Sequence, residues 1–84
     1  MKNSFMNALY QDGIGKTVTG WYMGSAFEGV ITNVRCTYGN DLNVYVDLTS
    51  QIQVGNSSRN SLVLSGSELA EGHSSVTNNL HVYF

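Results

Sequence analysis

The residues of this chain that could do chemistry do not assemble into a known catalytic motif. Segment 13–17 reads GIGKT and imitates the end of a phosphate-binding loop, but the first glycine of that motif falls on Tyr10. A helix is predicted before the segment and a strand after it, which reverses the order that a phosphate-binding loop needs. We therefore interpret segment 13–17 as a turn that leads into the first strand.

The other reactive side chains also lack the spacing of an active site. His73 and His81 are the only imidazoles, and neither stands at metal-ligand spacing from the single Cys36. Serines follow His73 directly, an arrangement that rarely gives a nucleophile with its base. Asp41, Asp47, Glu68 and Glu71 could supply paired carboxylates, but Asp47, the best placed of them, is expected on a solvated strand face. The sequence predicts no enzyme, no cofactor and no metal site.

Aromatic and arginine side chains favour a binding function instead. Tyr45 alternates away from the apolar stripe of its strand, so it is expected on the opposite side of the sheet, flanked by Asn43 and Asp47. Aromatic residues and arginines outside a core are common anchors of interfaces and ligand pockets. The predicted ligand-binding residues are Trp21, Arg35, Tyr38, Asn43, Tyr45, Asp47 and Arg59.

Composition and charge limit which partners these residues can have. The 84 residues predict a single domain with a thin core, which favours stabilisation by self-association into a homo-oligomer. Only 12% of the residues are charged and the formal net charge is −2. The chain has no basic stripe for a phosphate backbone, so nucleic acid is a disfavoured partner.

The single cysteine and residues 1–10 indicate the cellular setting. Cys36 has no second cysteine with which to pair and falls in an alternating apolar segment, which predicts a reduced, buried thiol. Residues 1–10 contain one lysine and no continuous apolar run, so neither a signal peptide nor a membrane span is expected. The sequence thus predicts a cytoplasmic protein without membrane contact.

One helix and several strands must position the predicted binding residues. Apolar residues at helical spacing predict a helix over 4–11, ended by Gly13 in a left-handed conformation. Period-two patterns predict strands over 16–23, 27–38 and 42–48. The last of these alternates strictly, with Leu42, Val44, Val46 and Leu48 on one face.

The remaining segments are shorter. Strict alternation within the second strand puts Val30, Val34 and Cys36 opposite Phe27, Ile31 and Arg35. The other predicted elements are short strands over 52–54, 61–64 and 80–84, polar loops over 56–60 and 72–75, and a capped helical turn over 67–70.

Glycines and the lack of proline shape the predicted sheet. Gly20 and Gly29 interrupt the first two strands, where a bulge or bend is the usual reason, and such bends let a short sheet curl. The predicted fold is mainly β, a small, strongly bent antiparallel barrel of the SH3-like or Sm-like type over 16–84, with a short N-terminal helix. Without proline, its sheet edges stay available to a neighbouring subunit.

The order of motifs resembles that of Sm-like proteins. The segment FEGVI at 27–31 is followed by Asp41-Leu42-Asn43, which leads into a strand. The Sm pattern likewise has a hydrophobic-x-Gly-x-hydrophobic strand, then an Asp and an Asn near the next strand. The resemblance covers roughly residues 9–48, and the interval from Gly29 to Asn43 exceeds that of the Sm pattern. It implies a barrel and, as one alternative, an RNA-binding ring.

The compact, proline-free chain, rich in asparagine and serine, also resembles small phage-encoded accessory proteins. Such proteins often block or sequester a host defence component. The resemblance implies a self-associating counter-defence factor that captures a host protein or a small nucleotide-like ligand in the host cytoplasm. The alternatives left open are an Sm-like RNA-binding ring and a purely structural assembly subunit.

Overall fold

The computed structural model describes residues 4–71 and 81–83, which form two helices and five strands. The elements in chain order are α1 (Ser4–Asp12), β1 (Thr17–Tyr22), β2 (Ser25–Thr37), β3 (Asp41–Val54), β4 (Ser57–Ser65), α2 (Gly66–Glu71) and β5 (His81–Tyr83). The loop predicted over 72–75 lies outside the described residues.

The strands form one antiparallel sheet with the order β4-β3-β2-β1-β5. Strands β1 to β4 make a four-stranded meander, and β5 adds to the free side of β1, where Val82 lies opposite Val18. Strands β4 and β5 are therefore the two edges of the described sheet. The structure confirms a mainly β fold with a short N-terminal helix, whereas the described sheet is not closed into a barrel.

Helix α1 begins at the predicted residue and ends one residue later than predicted. Its buried stripe consists of Met6 and Leu9, with Phe5 packed against the core beside them. Tyr10, which the helical spacing also allowed in the stripe, is 45% exposed. A helix of this length is marginal alone, so packing on the sheet stabilises it.

Gly13 ends α1 in a way that the sequence did not predict. Its N–H donates to the Leu9 carbonyl oxygen at 2.9 Å, and a Cβ at this position would collide with that same oxygen. Glycine is thus required at position 13, because the backbone of Leu9 lies too close to leave room for a Cβ atom. The left-handed conformation predicted for Gly13 occurs at Gly15 instead, with a φ of 91°.

The core lies on one face of the sheet, beneath both helices. Leu42, Val44 and Val46 of β3 are at most 1% exposed, which confirms the predicted alternation of this strand. The other buried hydrophobic residues are Met6, Leu9, Val18, Phe27, Ile31, Ile52, Leu62, Leu64 and Leu69. This set includes residues of α1 and α2, so both helices contribute to the core on this side of the sheet. We call this side the core face.

A bulge in β2 changes the register between β2 and β3. Ile31 lies opposite Val46, but the next pair is Asn33 opposite Tyr45. Thr32 is therefore an extra residue in β2. A bulge of this kind bends its strand and reverses which residues face each side of the sheet.

The strict alternation predicted for this strand is wrong beyond Ile31 because of the bulge. Val34 and Cys36 lie opposite core-face residues of β3, so they share the face of Phe27 and Ile31. Arg35 lies opposite Asn43 and therefore on the other face. The bulge thus separates Arg35 from the core residues with which simple alternation grouped it.

Gly29 comes before the bulge and has a different role. A Cβ at Gly29 would lie 2.5 Å from the Val46 Cγ1 atom and 2.6 Å from the Asp47 carbonyl oxygen. Such distances are far below ordinary van der Waals contact. Glycine is therefore needed where β2 and β3 approach closely over the core.

Strands β3 and β4 are longer than predicted. The separate strand over 52–54 is the end of β3, and the predicted loop over 56–60 is largely the start of β4. The two strands turn at Gly55, which has a φ of 61°. Residues 57–61 are all exposed, so their polar composition reflects an exposed edge strand, which composition alone does not distinguish from a loop.

Candidate functional site on the outer face of the sheet

The side of β2, β3 and β4 that faces away from the helices carries three rows of side chains. Residues directly opposite in an antiparallel ladder share a face, with Cβ atoms about 4.5–5.5 Å apart. Read from β2 across β3 to β4, the rows are Arg35–Asn43–Ser65, Asn33–Tyr45–Val63 and Val30–Asp47–Ser61. We call these nine residues the outer face, and the row that contains Tyr45 its centre row.

The centre row combines ordered backbone with accessible apolar surface. Val63 is 54% exposed, and its neighbours Tyr45 and Asn33 are half-buried. The Asn33 Oδ1 atom accepts a hydrogen bond from the Val34 N–H at 2.9 Å, and the Thr32 hydroxyl donates to the Tyr45 carbonyl oxygen at 3.3 Å. These two bonds hold the bulge and therefore the position of the row.

Opposite charges lie on either side of the centre row. Arg35 belongs to the row on one side of the centre row, and Asp47 belongs to the row on its other side. Both side chains are exposed. The rows are four residues of β3 apart, or about 13 Å along the strand, too far for an ion pair within the chain. Within residues 4–71 and 81–83, neither side chain has a hydrogen bond or an ion pair.

An open hollow adjoins the outer face at the turn between β2 and β3. It has a volume of about 580 Å³ and is lined by Cys36, Thr37, Tyr38 and Asn43. The Tyr38 side chain is 99% exposed, so it offers an aromatic surface without enclosing the hollow. Sites for small molecules bury most of the ligand surface, which this hollow does not do.

Cys36 is free and exposed, so the predicted burial of its thiol is wrong. It lies opposite Leu42, which is fully buried, on the core face of the sheet. Helix α2 covers Leu42, since a Cβ on its first residue, Gly66, would lie only 3.0 Å from the Leu42 Cβ. Cys36 is one strand further from α2, and it stays accessible for that reason.

Asp41 links the start of β3 to the start of α2. Its Oδ1 atom accepts hydrogen bonds from the Leu42 N–H at 2.7 Å and the Ser67 N–H at 3.0 Å, and its Oδ2 atom accepts one from the Ser67 hydroxyl at 2.9 Å. Partial burial raises the pKa of Asp41, but hydrogen bonds from Leu42, Ser67 and Gly66 outweigh it and hold the pKa below 3.8.

Ser65, a residue of the outer face, caps the N-terminus of α2. Its hydroxyl accepts a hydrogen bond from the Glu68 N–H at 3.1 Å, the geometry of a helix N-cap, with Glu68 three residues later. The helical turn predicted over 67–70 is therefore confirmed within α2, although the helix begins at Gly66 and its cap is Ser65, before the predicted segment. We interpret Asp41 and Ser65 as structural residues at the border of the outer face.

The structure brings most of the predicted binding residues together. Arg35, Asn43, Tyr45 and Asp47 belong to the outer face, and Tyr38 lines the hollow beside it. The prediction that these residues bind a ligand stays a prediction, but their common location is now established.

Trp21 and Arg59 lie elsewhere. Trp21 is 44% exposed and pairs with Ala26, nine residues of β2 before Arg35, which is about 30 Å of strand. Arg59 lies opposite Ile52, beyond a second shift in register between β3 and β4. Neither residue therefore belongs to the cluster around Tyr45.

Residues that the sequence did not single out complete the outer face. The alternation of Leu62 and Leu64 on the core face was the signal that could have placed Val63 on the outer face. Asn33 had no such signal, because its position depends on the bulge at Thr32.

Comparisons with known proteins do not identify the chain. No family model matches it, and searches of curated proteins and of solved structures find no similar protein. Among the described residues, no group of three or more His, Cys, Asp or Glu could hold a metal ion, and no helix is long and apolar enough to cross a membrane. His73 lies outside the described residues.

Proposed function

We propose that this chain is a non-enzymatic binding protein that acts through protein–protein contact on its outer face. The observation that carries the proposal is the centre row, which no described helix or strand covers: half-buried Tyr45 lies beside exposed Val63, with Arg35 and Asp47 exposed on either side. Protein interfaces combine an aromatic and apolar centre with a polar rim, and tyrosine and arginine are frequent anchors there.

The shape of the surface supports a protein partner over a nucleotide-like ligand. The outer face is one side of a sheet, and the adjoining hollow at Tyr38 is open rather than enclosed. Small ligands are held in concave sites with convergent polar groups. A broad surface with a few apolar side chains is better suited to another polypeptide.

The charge of the surface supports a protein partner over RNA. The nine residues of the outer face include one cation, Arg35, and one anion, Asp47. Binding of a phosphate backbone rests on several cations that displace counterions together. A balanced face of this kind favours a partner with both signs of charge.

We also propose that the sheet curls toward the SH3-like or Sm-like barrel predicted from the sequence. Two features support it: the bulge at Thr32 in β2, and the shift in register between Asp47 and Ile52 in β3. Bulges bend strands and increase their twist, which is how short sheets curl. Pairing of β5 with β1 extends the sheet on the side away from β4.

Photo-crosslinking tests the binding function directly. A benzophenone amino acid replaces Tyr45 in the full chain, which is then irradiated in cells of its own source. The expected result is a light-dependent covalent adduct with one defined protein, because benzophenone reacts only with groups in contact. The control places the same amino acid at Tyr10 of α1, which is 45% exposed, more than the half-buried Tyr45, and lies away from the outer face.

The two positions must differ for the proposal to stand. Equal adducts from Tyr45 and Tyr10 would indicate nonspecific collisions, and no adduct from Tyr45 would remove the outer face as a protein-binding surface. An adduct with RNA in place of protein would favour the Sm-like alternative.

A further inference from the structure

The outer face has a charge pattern that complements itself. Arg35 and Asp47 lie in the two rows that border the centre row, on opposite sides of Tyr45. They are too far apart to pair within one chain. A two-fold rotation about an axis along the centre row exchanges the two bordering rows. It therefore brings Arg35 of each copy over the row that contains Asp47 of the other copy.

From this complementarity we propose that a second copy of the chain is the partner, packed outer face to outer face around a two-fold axis at the centre row. The inference rests on the proposed function and deepens it by naming the partner. Tyr45 and Val63 of the two copies form the apolar centre of the interface. Two symmetry-related pairs, each Arg35 with Asp47 of the other copy, border it.

The neighbouring carboxylates are consistent with this arrangement. Glu28 lies on the same side of the sheet as the outer face, opposite Thr19 and beyond the row of Asp47. It adds negative charge on the side that Arg35 of the other copy approaches. At the opposite end, the Asp41 carboxylate is held by Ser67 of α2 and is not directed at the interface.

The size of the outer face sets the expected strength of the dimer. A standard interface uses about 20–30 residues on each side, and the outer face has nine. We therefore expect a dissociation constant on the order of micromolar. Because charge pairs at the border are exposed to solvent, salt should weaken the dimer.

A charge exchange tests the inference. Dimerisation of the full chain is measured by sedimentation velocity over a series of protein concentrations. Arg35→Asp and Asp47→Arg alone should each raise the dissociation constant about tenfold or more, since each places like charges together at two symmetric positions. The double variant Arg35→Asp/Asp47→Arg restores opposite charges and should return to within about threefold of the original chain.

Arg59→Asp is the matched control, because it makes the same change of charge on β4 outside the outer face. It should leave dimerisation unchanged. Far-UV circular dichroism and urea unfolding establish that each variant is folded. A second substitution would not restore dimerisation to a misfolded chain. Recovery of dimerisation in the double variant therefore distinguishes loss of an interface from a general loss of structure.

The inference is overturned by a chain that is monomeric throughout the series, by a dimer that the single substitutions leave intact, or by a double variant that dimerises no better than the single ones. These failures differ from failure of the proposed function. An adduct from Tyr45 to a different protein would overturn the two-fold dimer but retain the binding surface, whereas absence of any adduct would remove both.

Discussion

The two faces of β3 show how differently one strand can be used. Leu42, Val44 and Val46 are at most 1% exposed, whereas Asn43 and Tyr45, which alternate with them, are only half-buried. The first set belongs to one core cluster with residues of both helices, and no described element covers the second set. Within the described residues, the fold thus buries the side chains of one face and leaves those of the other partly or fully exposed.

The core face also contains two glycines at which neighbouring atoms lie too close to leave room for a Cβ atom. Gly66 begins α2 against this face, where a Cβ would lie 3.0 Å from the Leu42 Cβ and 3.1 Å from the Met6 sulfur. Gly29 is similarly restricted between β2 and β3. On the outer face, the Arg35 and Asp47 side chains are exposed. Substitutions should therefore affect stability on one face and binding on the other.

The largest predicted effect comes from removing a core side chain of β3. Leu42→Ala should lower the free energy of unfolding by about 3 kcal/mol, because Leu42 is fully buried and its removal leaves a cavity beneath α2. Urea unfolding followed by circular dichroism measures the change. Asn43→Ala, at the adjacent position on the outer face, should change stability by less than about 0.5 kcal/mol. Similar losses from both would contradict the division between the faces.

A smaller loss is predicted where β2 and β3 approach most closely. Gly29→Ala should cost about 2 kcal/mol, because its Cβ would meet the Val46 side chain and the Asp47 backbone, and the backbone cannot yield easily. The control is Glu28→Ala at the preceding, exposed position, with an expected change below about 0.5 kcal/mol. A Gly29→Ala variant as stable as the original chain would show that the two strands can separate without cost.

The sequence predicted the core face of β3 better than any other feature. Leucine and valine alternate there with polar residues, and period-two hydrophobicity is a direct signature of a strand with one buried face. The same alternation placed Asn43, Tyr45 and Asp47 together on the outer face. Three residues of the candidate site therefore followed from local pattern alone.

The rest of the site depends on contacts that local pattern does not encode. Arg35 reaches the outer face only because Thr32 is inserted as a bulge, and Asn33 supports that bulge by accepting a hydrogen bond from the next backbone amide. One inserted residue leaves no periodic signature. Trp21 has the chemistry of an interface residue, but its distance from Arg35 follows from strand register, which side-chain type does not predict.

The smallest predicted effect concerns Asp41, where the outer face meets the helix that covers the core. Asp41→Ala removes an acceptor for the Leu42 and Ser67 amides and the Ser67 hydroxyl, and should cost about 1 kcal/mol at pH 7. Because the pKa of Asp41 in the folded chain is lowered from 3.8, its carboxylate stabilises the fold fully above that pH. This contribution is lost as the pH falls from 3.8 through the lower folded pKa.

Urea unfolding over a series of acidic pH values measures this dependence. The difference in unfolding free energy between the original chain and Asp41→Ala should shrink as the pH falls below 3.8, since protonation removes the charge that the amides stabilise. Asp47→Ala removes a carboxylate of the same strand that holds no helix, and should cost less than about 0.5 kcal/mol at neutral pH in dilute, monomeric protein. A constant difference at every pH would mean that Asp41 supports α2 by packing and not by its charge.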